Sequence, residues 1–249
     1  MKDLLLIGIG PGDPRQVTYE AVEALRRATL FFVLDKGSGK DELVCLRKAI
    51  LDRYRPEGGY RLVQVADPRR DSAATDYVTA VQDWHCQRAA LYARLITDEM
   101  GSEDIGAFLL WGEPGLYDST LRILQRVRDQ GVSLRLQVIP GISSVQALAA
   151  RHQVTLNRIG EPVLVLPGRR LAEQARLDNV LVMLDGQCAF AALDDPELVI
   201  YWGAYLGTED EVLIAGPLQA VKARILAVRE EARLRKGWIM DTYLLRREL

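Results

Sequence analysis

The sequence is poor in the residues that would build a disulfide framework or a metal centre. Its three cysteines, Cys45, Cys86 and Cys188, lie far apart, and no pair of them has the spacing of metal ligands. Their odd number also argues against a set of disulfides, so the composition favours a reducing, cytoplasmic setting. No apolar run approaches the roughly 20 residues of a transmembrane helix.

The sequence also lacks a strong excess of charge. With 32 Lys and Arg against 34 Asp and Glu, the net charge is −2, which gives no general attraction for nucleic acid or a membrane surface. The apolar start, Met1 to Gly10, is too short for a secretory signal and leads straight into a Gly-Pro-Gly-Asp turn. We therefore expect a cytoplasmic protein without a nucleic-acid or membrane partner.

Short apolar runs alternate with helical patterns in the first part of the chain. The helical patterns begin after Thr18, cover about residues 75–98 and follow residue 120, and the runs predict strands at Leu4–Ile9, Leu30–Leu34, Arg61–Val65, Phe108–Trp111 and Leu134–Ile139. This alternation indicates an α/β layer around a mostly parallel sheet. Apart from its strand, the stretch 35–75 is rich in Gly, Pro, Asp and Arg, and we expect loops there.

The second part repeats this organisation with shorter elements. One amphipathic helix is predicted at Leu218–Arg235, and strands are predicted at Val163–Leu166, Val180–Leu184, Leu198–Trp202, Val212–Ala215 and Trp238–Leu245. We therefore expect two α/β domains, at residues 1–141 and 142–249.

The first motif that could carry chemistry is the glycine-rich turn from Gly8 to Pro14. Such a turn lets a ligand approach the backbone closely, and Asp35 at the end of the next strand would suit a dinucleotide-binding loop. The dinucleotide fingerprint fails because its third glycine falls on Asp13, and because Pro11 has no N–H to offer a phosphate. A tight turn without any ligand stays open as an alternative.

Two further motifs also follow predicted strands. One runs from Trp111 to Thr120, where open α/β sheets place their ligands, and the other runs from Val138 to Ser144. Ser119 or Asp118 could simply cap the next helix, and a serine pair at a helix start could cap it or bind a carboxylate.

The order and spacing of the three motifs resemble those of the tetrapyrrole methylase family of cobalamin and siroheme synthesis. That family has an opening Gly-x-Gly-Pro-Gly-Asp turn, a Gly-Asp-Pro loop near residue 100 and then Pro-Gly-x-Ser-Ser. Residues 207–209 and 216–218 look like its second-domain pattern. The resemblance implies two α/β domains of the tetrapyrrole methylase type, the first with a mostly parallel sheet, with S-adenosyl-L-methionine bound in the cleft between them. It also implies a homodimer.

The resemblance further implies a set of residues that bind this methyl donor. They are Pro11, Trp111, Gly112, Glu113, Leu116, Tyr117, Ser143, Ser144, Met183, Leu184 and Gly207. The chain departs from the family at Glu113, where aspartate is usual, and at Leu166-Pro167, where a threonine pair is expected.

Several runs, among them 116–120, 143–152 and 156–160, are most similar to one branch of the family. That branch methylates precorrin-5 at carbon 1 and releases acetate, leaving S-adenosyl-L-homocysteine. Methyl transfer mainly requires positioning, whereas deacetylation needs water and can use a base. The candidates by residue type are His85, Tyr117 and Asp118. For the polycarboxylate tetrapyrrole we expect arginine ligands, among them Arg88, Arg122, Arg158 and Arg169, and we expect no metal.

Three other functions stay open from the sequence. The nearest is another precorrin or uroporphyrinogen methyltransferase of the same family. The others are a nucleotide-dependent oxidoreductase that uses Asp35 and a non-catalytic tetrapyrrole-binding protein.

Overall fold

The computed structural model describes residues 1–35, 41–69 and 76–247. The chain divides into two compact units. The first unit contains Met1–Gly10 and Pro14–Ile142, and the second contains Pro11–Asp13 and Ser143–Leu249.

The first unit is built on a five-stranded sheet in which every neighbouring pair is parallel. Its strands are β1 (Lys2–Gly8), β2 (Leu30–Asp35), β3 (Arg61–Ala66), β4 (Ile105–Leu110) and β5 (Leu134–Ile139), in the spatial order β3-β2-β4-β1-β5. The predicted parallel α/β layer is confirmed. Because the strands are parallel, their carboxyl ends all lie along one edge of the sheet.

Helices cover both faces of this sheet, as its continuous apolar strands require. Their bounds are α1 (Tyr19–Arg27), α2 (Asp41–Tyr54), α3 (Tyr77–Glu99) and α4 (Thr120–Asp129). Apolar residues of α1 and α2 pack with Leu5, Ile7 and Phe31, whereas those of α3 and α4 pack with the alternate side chains of the same strands. None of the helices in the described ranges combines the length and apolar composition needed to cross a bilayer.

The expectation of loops throughout 35–75 is wrong for residues 41–54, which form α2; residues 36–40 and 70–75 lie outside the described part. The buried side chains Val44, Ile50 and Leu51 recur at helical spacing. The pattern was obscured because Arg47 stands among these apolar positions.

The second unit contains a mixed sheet, in agreement with the predicted second α/β domain. Its elements are α5 (Ser144–His152), β6 (Leu164–Pro167), β7 (Val180–Met183), β8 (Leu198–Ala204), β9 (Val212–Pro217), α6 (Leu218–Lys236) and β10 (Asp241–Arg247). Only β6 and β7 pair in parallel; the spatial order is β6-β7-β10-β8-β9. The predicted strands and the long helix are confirmed to within a few residues.

One buried arginine fixes the end of the first helix. The Arg55 Nη1 atom donates to the carbonyl oxygens of Leu25 at 2.7 Å and Ala28 at 2.9 Å, and Nη2 donates to Gly58 at 3.0 Å. The carbonyls of Leu25 and Ala28 are among those that a helix end leaves without partners, so Arg55 closes the C-terminus of α1.

We expect the substitution Arg55→Gln to lower the free energy of unfolding by about 2–4 kcal/mol, because it leaves several buried carbonyls unsatisfied. Urea unfolding of the variant measures this loss. Arg53→Gln, which removes an exposed arginine two residues earlier in the chain, serves as the control and should change stability by less than about 0.5 kcal/mol. Equal stabilities of the two variants would contradict the assigned role of Arg55.

Candidate active site

Three glycines bring the ends of β1, β4 and β5 into backbone contact. A Cβ atom on Gly141 would lie 2.1 Å from the carbonyl oxygen of Gly112 and 2.9 Å from the backbone of Gly8. A Cβ on Gly8 would likewise lie 2.6 Å from the nitrogen of Gly141. We call Gly8, Gly112 and Gly141 the glycine contact; a side chain at Gly8 or Gly141 would prevent it.

Glu113 joins two of the loops at this contact. Its Oε1 atom accepts a hydrogen bond from the Gly115 nitrogen, and its Oε2 atom accepts one from the Gly141 nitrogen, each at 2.7 Å. The carboxylate thus holds one amide in its own loop and a second amide 28 residues further along the chain than Glu113. Glutamate therefore stands in place of the usual aspartate, and its carboxylate accepts hydrogen bonds from both loops.

The first strand is tied to the same edge through the opening motif. Gly112 donates to the carbonyl of Gly10 at 2.8 Å, and Gly10 donates back to Gly112 at 3.3 Å. Both glycines have φ angles in the left-handed region, +79° for Gly10 and +71° for Gly112, where other residues are strained. The Thr18 hydroxyl caps α1 and donates to the Pro140 carbonyl at 3.3 Å.

The segment after this loop exposes one candidate catalytic side chain and uses another to start a helix. The Tyr117 side chain is 42% exposed. Its φ angle of +54° is unusual for a residue with a side chain. Such strain in a structured loop is typical of functional sites. Asp118 accepts a hydrogen bond from the Thr120 nitrogen at 2.7 Å, so its carboxylate is engaged at the first residue of α4, whose N-cap is Ser119.

The serine pair has divided roles. Ser143 is buried and caps α5, where Gln146 completes a capping box. Ser144 is half-buried, and its hydroxyl makes no hydrogen bond to any described residue. Within this pair, Ser144 is therefore the residue with a hydroxyl to offer a ligand.

In the second unit, the end of β7 presents an exposed apolar side chain. Leu184 has a φ of +52° and is 61% exposed. The next residue, Asp185, is buried and accepts hydrogen bonds from the Ala189 nitrogen and the Tyr243 hydroxyl, each at 2.7 Å. Met183 and Leu184 therefore precede a firmly anchored carboxylate, which holds Leu184 in its unfavourable conformation.

The opening motif packs against the loop that contains Gly207. A Cβ on Gly12 would lie 2.7 Å from the Thr208 side chain and 2.9 Å from the Leu206 carbonyl, so the segment that contains buried Pro11 packs on the 206–208 loop. The Gly207 nitrogen donates to Glu211 at 2.7 Å. Glu211 in turn pairs with Arg151 at 2.9 Å.

Arg88 was expected among the substrate ligands, and this expectation needs correction. Its guanidinium is buried and donates Nε and Nη2 to both oxygens of Asp67, at 2.7 and 2.8 Å. A bidentate buried pair leaves no free charge for a substrate carboxylate. Asp67 lies 21 residues earlier in the chain, so no local pattern pointed to this pair.

The other expected arginine ligands lie in different settings. Arg122 and Arg169 are exposed, on α4 and on the short 3-10 helix Gly168–Glu173, whereas Arg158 is half-buried and pairs with Glu161 at 3.9 Å. One turn after Arg122, half-buried Arg126 donates to the Cys86 Sγ atom at 3.1 Å. The sequence reasoning missed Arg126, although its i+4 spacing from Arg122 places both on one helix face.

The half-buried His85 lies on α3 near these cations. Burial lowers its pKa, and Arg126, Arg88 and Arg122 lower the pKa further. A histidine with a lowered pKa is neutral at pH 7, and a neutral ring can accept a proton. Within the described ranges, no group of three or more His, Cys, Asp or Glu side chains could hold a metal ion.

Comparison with known proteins identifies the family of this chain. The family model of the tetrapyrrole (corrin/porphyrin) methylases matches residues 3–222, and the chain belongs to this family. A precorrin-6A synthase [deacetylating] of Sinorhizobium sp is 48% identical over 99% of this chain and 96% of its own length.

Solved structures give the same result for the fold. A protein of Corynebacterium diphtheriae described as cobalamin synthesis related (CobF) is 39% identical, with a TM-score of 0.86 over 99% of both chains. A uroporphyrin-III C-methyltransferase of Thermus thermophilus, solved with S-adenosyl homocysteine, is 16% identical, with a TM-score of 0.57 over 97% of this chain and 91% of its own. The last comparison concerns the fold alone.

We expect Gly141→Ala to destabilise the first unit by about 1–3 kcal/mol or more, because the new methyl group overlaps the Gly112 carbonyl. Thermal unfolding measures the loss. Gly101→Ala, at the opposite edge of the sheet, places its Cβ at an ordinary 3.4 Å from Asp104 and should be nearly neutral. If both variants unfolded like the parent protein, the backbone contact would not exist.

We also expect Glu113→Gln to cost about 1–3 kcal/mol of stability, since an amide NH₂ group must then face one of the two backbone N–H donors. Denaturant unfolding provides the measurement. Glu103→Gln, a change at an exposed site of the same unit, is the matched control. A loss at Glu113 no larger than at Glu103 would show that the carboxylate bridge does not hold the loops.

Proposed function

We propose that this chain transfers a methyl group from S-adenosyl-L-methionine to carbon 1 of precorrin-5 and that acetate is released to give precorrin-6A. The observation that carries the proposal is the full-length 48% identity to a precorrin-6A synthase [deacetylating]. The converged loops of the first unit support it, because they leave a backbone surface at the edge where α/β sheets bind ligands. The dinucleotide-dependent oxidoreductase is not supported, since the chain belongs to a methylase family.

The residues present fit the methyl donor. Ser144 offers a hydroxyl that no described residue uses, and Tyr117 and Leu184 present exposed side chains on anchored backbone. When bound, S-adenosyl-L-methionine supplies an electrophilic methyl group. We propose that Trp111, Gly112, Leu116 and Tyr117 bind it in the first unit, and that Pro11, Ser144, Met183, Leu184 and Gly207 bind it in the second. Glu113 and Ser143 act through the backbone that they hold.

The work of the chain in methyl transfer is positioning. The ring carbon of the substrate supplies the electron pair for the new carbon–carbon bond, so no protein base is needed in that step. Holding two reactants in line contributes a large part of the rate enhancement in such reactions. The rigid glycine contact suits this task, because its backbone atoms have few alternative positions.

Release of acetate requires water to add to the acyl carbon; the bond between that carbon and the ring then breaks, its electron pair stays with the ring that gave a pair to the methyl group, and the acyl group leaves as acetate. A neutral histidine can remove the proton from the water. Of the three candidates, we propose His85 for this role, because the Asp118 carboxylate is engaged with the first backbone N–H of α4 and the phenol of Tyr117 is a weak base at pH 7. Tyr117 is retained as a hydrogen-bond donor to the substrate.

For the carboxylates of the tetrapyrrole, we propose Arg122 together with Arg126 in the first unit, and Arg158 and Arg169 in the second. Arg122 and Arg126 make no ion pair with any described carboxylate. Arginine suits this task because its planar fork can donate two hydrogen bonds to one carboxylate.

The family resemblance also supports a homodimer, and the three free cysteines favour a reducing cytoplasm. Sedimentation equilibrium measures the oligomeric state.

The test is a single-turnover incubation with precorrin-5 and methyl-labelled S-adenosyl-L-methionine, followed by mass spectrometry. We expect a product that has gained one methyl group and lost the acetyl unit. Methyl gain without acetate loss would indicate another methylase of the family, and S-adenosyl-L-homocysteine binding without methyl transfer would indicate a binding protein.

We expect His85→Gln to slow acetate release at least tenfold relative to methyl transfer, so that a methylated, still acetylated species accumulates. Because the pKa of His85 is lowered, acetate release by the parent enzyme should decline only below the ordinary pH range of histidine titration. Gln82→Ala, an exposed change on the same helix, is the control. Parallel loss of both steps, or of neither, would contradict the assignment.

A further inference from the structure

Among the described residues, three arginines are buried, and each is matched by acceptors. Arg55 closes α1 with backbone carbonyls, and Arg88 pairs with Asp67. Arg229 donates to Asp241 at 2.8 Å and to the Asp185 carbonyl at 2.7 Å. These charges are explained within the fold, as buried charges have to be.

Arg47 on α2 is different. Its Nε atom donates to the Leu109 carbonyl at 3.0 Å, and Nη1 donates to the Leu43 carbonyl at 2.6 Å. Its Nη2 atom donates to no described residue, and none of the carboxylates in the described ranges lies within ion-pair distance of the guanidinium.

The environment of Arg47 disfavours its charge. Burial lowers the pKa of Arg47 to about 10, although Asp118 attracts the guanidinium from beyond contact distance. The side chain nevertheless remains partly accessible. Partial access combined with strong desolvation describes a cation in a concave part of the surface.

Its position is the point where two neighbouring strands separate. β2 and β4 pair only from Leu30 to Phe32, opposite Gly106 to Phe108. Leu109, the next residue of β4, lies beyond its pairing with β2, and the Leu109 carbonyl accepts a hydrogen bond from Arg47.

The helices after these two strands lie on opposite faces of the sheet. α2, which follows β2, packs with Leu109 and Phe31, whereas α4, which follows β4, packs with Phe108 and Leu110. Where successive connections diverge in this way, an open sheet forms a crevice at the carboxyl ends of its strands, and ligands bind there.

We propose that Arg47 binds a carboxylate of the ligand at this crevice, through the guanidinium edge that carries Nη2. The inference rests on the proposed function, which supplies two sources of such a group: the amino-acid carboxylate of S-adenosyl-L-methionine and the acidic side chains of the tetrapyrrole. Either would give the desolvated cation the counter-ion that the described fold does not provide. Arg47 would then be a binding residue rather than a structural one.

The test measures the affinity of the full-length Arg47→Gln protein for three probes by calorimetry and fluorescence. S-adenosyl-L-homocysteine is compared with methylthioadenosine, which lacks the amino-acid carboxylate, and uroporphyrin III represents the polycarboxylate tetrapyrroles. Arg53→Gln removes an equal charge from an exposed site of the same helix and is the matched control.

If the cofactor supplies the carboxylate, Arg47→Gln should weaken S-adenosyl-L-homocysteine at least tenfold and leave methylthioadenosine unchanged. If the tetrapyrrole supplies it, only uroporphyrin III should weaken by this factor. Arg47→Lys should recover part of the lost affinity in the affected arm, because it keeps the charge but not the fork. Arg53→Gln should bind all three probes like the parent protein.

Loss of less than twofold in both arms, with normal binding by the parent protein, would overturn the inference and leave the proposed function standing. Failure of the parent protein to bind either S-adenosyl-L-homocysteine or uroporphyrin III would instead contradict the proposed function, and with it the inference. Circular dichroism and the melting temperature of each variant establish that any loss of binding occurs in a folded protein.

Discussion

The first unit depends on one steric constraint: at Gly8 and Gly141, which contact each other and the Gly112 carbonyl, there is no room for a side chain. A Cβ at Gly141 would overlap the Gly112 carbonyl, so the loops after β1, β4 and β5 can meet only as bare backbone. Glu113 fixes this meeting by accepting from Gly115 and Gly141 at once. The edge of the sheet therefore presents main-chain groups held by short-range contacts, which suits a reaction that depends on alignment.

The arginines of the described structure fall into two groups, according to whether the fold supplies their partners. Arg55, Arg88 and Arg229 are buried and fully engaged with carbonyls or carboxylates of the fold. Arg47 is desolvated at the edge of the sheet without a described counter-ion, and Arg122 and Arg126 lie on α4 without ion pairs to described residues. The buried arginines are neutralised or hydrogen-bonded within the fold, whereas the arginines without a described carboxylate partner can attract an acidic ligand.

Much of this could be predicted from the sequence where the controlling pattern is local. Continuous apolar runs such as Leu30–Leu34 predicted the strands, and Thr18 marked the start of α1. The glycine motifs indicated the ends of three strands. What could not be predicted depends on partners distant in the chain: Glu113 reaches Gly141, and Arg88 is neutralised by Asp67. α2 was missed for a different reason, since Arg47 interrupts its apolar face with a charge that the helix itself does not require.

The central claim is that the backbone around the glycine contact forms the surface that binds the methyl donor. Amide hydrogen exchange with and without S-adenosyl-L-homocysteine tests it most directly, because the method reports on individual backbone segments. If this backbone binds the methyl donor, amide exchange should slow on binding in residues 111–117 and 141–145. Exchange should stay unchanged at the opposite edge of the same sheet, in residues 100–104 and 131–133. Binding that protects other segments and leaves 111–117 and 141–145 unchanged would contradict the account.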